Sequence, residues 1–229
     1  MIEIIPAVLP HSHADLLMRL GMLRGAPGIG KGALMVQLDL CDGLFVPTRT
    51  WPFNPADRAS FAEIVTGDEG LPYWEDFNYE VDLMAHQPES LLPNWIAAGV
   101  SRAVVHLESR HDWEALRDAA GQTVELGLAI DLDPPFDRLN NYLPKIDYLQ
   151  IMGISHLGRQ GEELDPRVYE LVKRIRADFP DGTIQIDGGV TIDNAPELVA
   201  AGIDRLVVGS KIVGDDDPRR ALKEFQNIA

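Results

Sequence analysis

Short β-branched runs alternate with amphipathic stretches along almost the whole chain, and this alternation restricts the fold more than any other feature. Eight apolar runs read as strands: 2–9 (IEIIPAVL), 33–40 (ALMVQLDL), 78–84 (NYEVDLM), 102–108 (RAVVHLE), 125–131 (ELGLAID), 148–154 (YLQIMGI), 183–188 (TIQIDG) and 205–209 (RLVVG). Helical periodicity falls between them, at 13–23, 89–98, 113–121, 165–178, 194–201 and 218–227, and Asp165-Pro166 and Asp217-Pro218 are start signals for two of these helices. Strands separated by helical crossovers must pair in parallel, and eight is the number that closes a (β/α)8 TIM barrel. Such barrels commonly occupy about 200 to 250 residues as one unit, so residues 1–229 are expected to form a single domain. The glycines of 25–32 (GAPGIGKG) precede a strand and lack P-loop spacing, which makes them a turn. The similarity of 96–109 (IAAGVSRAVVHLES) to 199–212 (VAAGIDRLVVGSKI), half a barrel apart, supports eightfold closure.

Composition narrows the setting. The net charge of −16 opposes nucleic acid and anionic membranes, both of which require a cationic footprint. A single cysteine, Cys41, rules out a disulfide framework and suits a reducing compartment. No signal-peptide pattern and no apolar run of about 18 residues is present, so a cytoplasmic protein is expected. The stretch 44–77 carries Trp51 and Trp74 and is expected to be an enlarged loop at the barrel mouth, with a short helix at 56–65. It would serve as a lid or a subunit contact; its aromatic content favours the contact and hence a homo-oligomer.

Strand alternation places the candidate chemistry. Gln37 and Asp39 share one face, as do Glu80, Asp82 and Met84, and Gln185 and Asp187. Acidic side chains buried against helices would be costly, so these faces should look into the lumen and bring Asp39, Asp82 and Asp187 together at its C-terminal mouth, with His106 beside them. Converging carboxylates repel, so such a site binds a cation, raises a pKa or pairs internally. A hydrogen-bonded polar plug is the bland alternative.

The runs LDLCDGLFVP (38–47), VDLMAHQPES (81–90), IQIDGGVTIDNAPELVAAG (184–202) and LVVGSKIVG (206–214), in this order and spacing, resemble the ribulose-phosphate 3-epimerase family. The resemblance spans nearly the full length and implies inversion of a carbon next to a ketone in a phosphopentose through an enediolate. It implies Asp39 and Asp187 as the acid–base pair on opposite faces of the substrate, with Met84 and Met152 crowding it. A divalent metal is implied as well, but the family's two histidine ligands match Gln37 and Asp82 here, and its strand 1 serine and a methionine match Ala7 and Cys41. Asp39, Asp82, Asp187 and Gln37 form an all-oxygen set that suits magnesium or manganese rather than zinc. His11 and His13 follow strand 1 and are the alternative source of imidazole, and His156 follows strand 6.

Gly158, Gly188-Gly189 and Gly209-Ser210 match the family's phosphate loops, with Arg159 and Lys211 available as charge. The expected partner is therefore a phosphorylated sugar. Three readings stay open: an epimerase using a harder ion, another phosphosugar isomerase or lyase of the same superfamily, and a non-catalytic binder. A decarboxylase of that superfamily would need an Asp-x-Lys-x-x-Asp motif on strand 3, and VDLMAH has no lysine.

Overall fold

The computed structural model describes residues 2–26, 34–67 and 70–228. Eight strands, β1 (Glu3–Val8), β2 (Leu34–Cys41), β3 (Phe77–Met84), β4 (Arg102–His106), β5 (Glu125–Ile130), β6 (Tyr148–Met152), β7 (Thr183–Asp187) and β8 (Arg205–Val208), close in sequence order into a parallel barrel. The helices are α1 (His13–Leu23), α2 (Arg58–Thr66), α3 (Leu92–Ala97), α4 (Trp113–Ala120), α5 (Phe136–Tyr142), α6 (Arg167–Asp178), α7 (Ala195–Ala201) and α8 (Pro218–Gln226). This is the expected (β/α)8 TIM barrel. The glycine run expected as a turn lies, from residue 27 onward, outside the described residues.

Each helix forms because one stripe of it is apolar and covers the outer face of the strands. In α1, Ser12 caps the N-terminus by accepting from the Asp15 amide, and Leu16, Leu20 and Leu23 face the sheet. Each such leucine contributes roughly 1.5–3 kcal/mol by burial. In α6, Val168, Leu171, Val172 and Ile175 form the equivalent stripe. The outward-facing strand residues Val36, Leu38, Leu40, Val81 and Leu83 belong to this same outer core.

The inward-facing residues form a different core that is apolar only in part. At the bottom of the barrel, Arg102 and Arg205 pair with Glu3 and Glu125 at 3.0–3.2 Å. Above them lie a group comprising Ile5, Ala7, Met35 and Val207 and another comprising Val104, Ala129, Tyr148 and Met152. Gln37, Glu80, Gln150 and Gln185 are buried polar side chains on these inward faces. The register sets Gln37 beside Glu80 and Asp39 beside Asp82 across β2 and β3. It also sets Gln150 beside Gln185 and Met152 beside Asp187 across β6 and β7.

The segment that follows β2 is tied to the barrel mouth. Its chain returns to the barrel mouth, where the Thr50 amide donates to the Cys41 carbonyl and the Trp51 amide to the Pro10 carbonyl. Trp51 is fully buried, packed edge-on against Phe61 and Trp95 and stacked on His13. Trp51 is thus a core residue and unavailable for a subunit contact, whereas Trp74 is exposed. The short helix expected at 56–65 is present as α2.

Candidate active site

Asp39, Asp82 and Asp187 converge at the C-terminal end of the lumen, each offering an oxygen within 4.8 Å of the others. Asp39 and Asp82 are buried, and Asp187 is partly open to the cavity above. Neither His11 nor His13 joins the cluster. His13 instead stacks on Trp51. His156 is exposed beside Glu162.

Two devices relieve the repulsion among the carboxylates. His106 bonds through Nε2 to Asp82 Oδ1 at 2.9 Å, with both side chains fully buried. Burial opposes protonation of this imidazole, but the charge and hydrogen bond of Asp82 outweigh it and raise the pKa above its ordinary value. The second device is an amide tier beneath the carboxylates. Gln37 Nε2 donates to Asp39 Oδ1 at 3.0 Å and to Asp187 Oδ2 at 2.9 Å, bridging the two. Gln150 Nε2 donates to Asp82 Oδ2 at 2.9 Å. Gln185 Nε2 lies below, donating to Glu80 Oε1 at 2.6 Å and to Gln150 Oε1 at 2.7 Å, with Gln37 Oε1 at 3.3 Å.

Even so, the acid pair holds its protons more tightly than ordinary carboxyls. Burial pushes Asp39 well up, and the charges of Asp187 and Asp82 add to it. Burial, then the charge of Asp82, raises Asp187 to about 7. In both cases the Gln37 bond pulls the other way, because an N–H donor favours the ionised form. A carboxyl held near neutrality, as that of Asp187 is, can give or take a proton at working pH.

The three carboxylate oxygens fit a hard, oxygen-ligated divalent cation. Gln37 does not present its oxygen to them in this arrangement, since its amide nitrogen faces Asp39 and Asp187.

One cavity joins this cluster to the glycine loops. Asp39, Asp187, Met84, Met152, Gly158, Gly188, Gly189, Gly209 and Ser210 all line it, with Arg159 and Lys211 at its rim. Every position expected to touch substrate therefore meets the same cavity. Gly189 shows why a side chain is excluded at the β7 loop: its φ is +73°, and a Cβ would lie 2.4 Å from the Leu164 Cα. Gly158 is held by Thr48, whose hydroxyl donates to its carbonyl at 2.8 Å, so the segment after β2 braces the glycine loop after β6.

Asp42 has a structural role. Its Oδ1 accepts from the Leu44 and Phe45 amides at 2.7 and 2.9 Å, and its Oδ2 from the His86 amide at 2.8 Å, tying the β2 loop to the β3 loop. The turn places Phe45 against His106, with ring centroids 5.1 Å apart. Burial raises the pKa of Cys41, whose sulfur rests 3.8 Å from that of Met84. Gln150 and Gln160 were not among the expected site residues. Gln150 could have been found from strand alternation, as it shares a face with Met152. Gln160 lies in an irregular loop and carries no such signal.

The sequence model described as "Ribulose-phosphate 3 epimerase family" matches residues 27–213. The chain belongs to the ribulose-phosphate 3-epimerase family. It is 26% identical over 209 residues to the ribulose-phosphate 3-epimerase of Mycobacterium tuberculosis (strain ATCC 25618 / H37Rv), covering 86% of this chain and 83% of that one. The enzyme of that name from Escherichia coli (strain K12) is 25% identical over 207 residues, covering 88% and 87%. That of Bacillus subtilis (strain 168) is 27% identical over 201 residues, covering 85% and 87%. Among solved structures, KGPDC from Streptococcus mutans superimposes with a TM-score of 0.67 at 12% identity, over 100% of this chain and 97% of that one. The 3-hexulose-6-phosphate synthase from Salmonella typhimurium gives 0.68 at 12% identity, over 99% and 98%. At these identities the structural likenesses bear on the fold alone.

Proposed function

We propose that this chain acts on a phosphorylated pentose as a ribulose-phosphate 3-epimerase-like enzyme, moving a proton between Asp39, Asp187 and the carbon held between them. The observation that carries this reading is the single cavity with Asp39 and Asp187 at one end and Gly158, Gly188, Gly189, Gly209 and Ser210 at the other. A pentulose 5-phosphate has that layout, with an acidic carbon beside its ketone and an anion two carbons further on. One carboxylate removes the C3 proton, and the other, protonated, returns one to the opposite face. Their raised pKa values suit both halves of that exchange. Gln37 fixes the separation of the pair, and Met84 and Met152 exclude water from the reacting carbon.

Asp39, Asp82 and Asp187 would hold a divalent cation, magnesium or manganese in preference to zinc given oxygen donors alone. When bound, such an ion supplies positive charge beside the enediolate oxygen. Relatives over most of the chain bear the name ribulose-phosphate 3-epimerase, in keeping with a phosphosugar ligand. Among the described residues no helix is long and apolar enough to cross a membrane.

The Gln37 bridge favours a second reading, a barrel that binds phosphosugar without turning it over, because an internally paired acid cluster is also a stable resting structure. One assay separates them. Conversion of D-ribulose 5-phosphate to D-xylulose 5-phosphate is followed by NMR, with magnesium, manganese or a chelator. Conversion supports the enzyme; saturable binding with no conversion under any condition supports the binder.

A further inference from the structure

Gln160 reaches across the cavity mouth from the loop after β6. Its Nε2 lies 3.4 Å from the Ala7 carbonyl of β1, at the long limit of a hydrogen bond, and its amide also faces the Asp39 carboxylate of β2. Beneath it is Gly209, after β8, where a Cβ would come within 2.5 Å of the same nitrogen. The amide therefore occupies the gap between the acid cluster and the glycines of the phosphate end, in the cavity that both line. Ala7 offers no side-chain polar atom there, so on the β1 side the amide meets only a main-chain carbonyl. A primary amide can both donate and accept, and its 3.4 Å contact to Ala7 is one it can exchange for a shorter bond to a ligand.

Resting on the phosphopentose reading, we propose that Gln160 is a specificity-determining residue that recognises the substrate hydroxyl between the reacting carbon and the phosphate, the C4 hydroxyl of a pentulose 5-phosphate. With C3 between Asp39 and Asp187 and the phosphate at Gly188, Gly189, Gly209 and Ser210, that hydroxyl is the next polar group along the chain. It meets the position the Gln160 amide holds. The absence of a side chain at Gly209 then has a second role, since it leaves room for this amide. A site that hydrogen-bonds a hydroxyl discriminates against the analogue lacking it, because its own polar group is left unpaired.

Calorimetry on the full-length protein tests this with three probes: D-ribulose 5-phosphate, its 4-deoxy analogue and inorganic phosphate. Wild type is expected to bind the hydroxylated sugar about 5- to 10-fold more tightly than the deoxy analogue. Gln160→Ala and the volume-conserving Gln160→Leu bring that ratio to about 1 while changing the Kd for inorganic phosphate less than about 2-fold. Variants that keep the wild-type ratio overturn the assignment. So do variants that lose phosphate and both sugars in equal measure, since Gln160 would then only shape the loop. If wild type binds inorganic phosphate but neither sugar, the phosphopentose reading itself fails, and this inference with it.

Discussion

Replacing Gln37 by leucine isolates the work of the amide tier. The side chains are similar in size, and the change deletes the 3.0 and 2.9 Å bonds to Asp39 and Asp187. A hydrogen bond to a charged group contributes about 1.5–3 kcal/mol and a neutral one about 0.5–1.5. Better burial of leucine returns about 1–2 kcal/mol. With both carboxyls ionised the net loss is therefore about 2–4 kcal/mol, and with both protonated about 1 or less. The folded pKa values of both groups lie above those of the unfolded chain, so in the wild type both weaken the fold as pH rises past about 4, with the Asp187 contribution running up to about 7. Gln37 lowers both values, so its removal extends that decline to higher pH. Urea unfolding with chelator, at pH 5 and pH 8, should show a variant close to wild type at the lower pH and clearly weaker at the higher. An equal loss at both, or a variant more stable than wild type at pH 8, would refute the idea that Gln37 acts by stabilising ionised carboxylates.

Other outcomes follow from the same geometry. His106→Leu removes the imidazole partner of the buried Asp82 carboxylate, leaving it the Gln150 amide, and is expected to cost about 3–5 kcal/mol at pH 7, read by chemical denaturation. Gly189→Ala meets the Leu164 backbone at a positive φ and should lose more than about 2 kcal/mol together with phosphate binding. Gly161→Ala also has a positive φ but nothing within 4 Å, and should lose only about 1–2 kcal/mol, as paired thermal melts would show. Manganese binding, read by electron paramagnetic resonance, should occur in the wild type and weaken at least about 10-fold in Asp82→Ala, with zinc showing no preference over manganese.

The strands could be read from the sequence because parallel strands buried on both faces leave near-continuous apolar runs such as Leu126–Ile130. Helix α5 could not, as Phe136–Tyr142 has Asn140 and Asn141 in its short span and buries only Leu139 completely. Alternation along each strand placed Asp39, Asp82 and Asp187 at one mouth, because the period of two is a local property. It could not give the direction of the amide tier. Whether Gln37 turns its nitrogen or its oxygen to the carboxylates depends on Gln185 opposite, 148 residues away. The same limit hid Gln160, whose neighbours come from β1, β2 and the turn after β8. Trp51 misleads for a related reason: aromatic residues in a long segment read as surface until the segment folds back, and its burial against Trp95 is a tertiary fact.

Hydrogen exchange at C3 of each pentulose 5-phosphate, measured in D2O by NMR, tests most directly whether two carboxylates work from opposite faces. Wild type should wash deuterium into both D-ribulose and D-xylulose 5-phosphate. Asp39→Asn should exchange only one epimer and Asp187→Asn only the other, each with interconversion reduced at least about 100-fold. Loss of one epimer's exchange in both variants, or full exchange in either, would contradict the account.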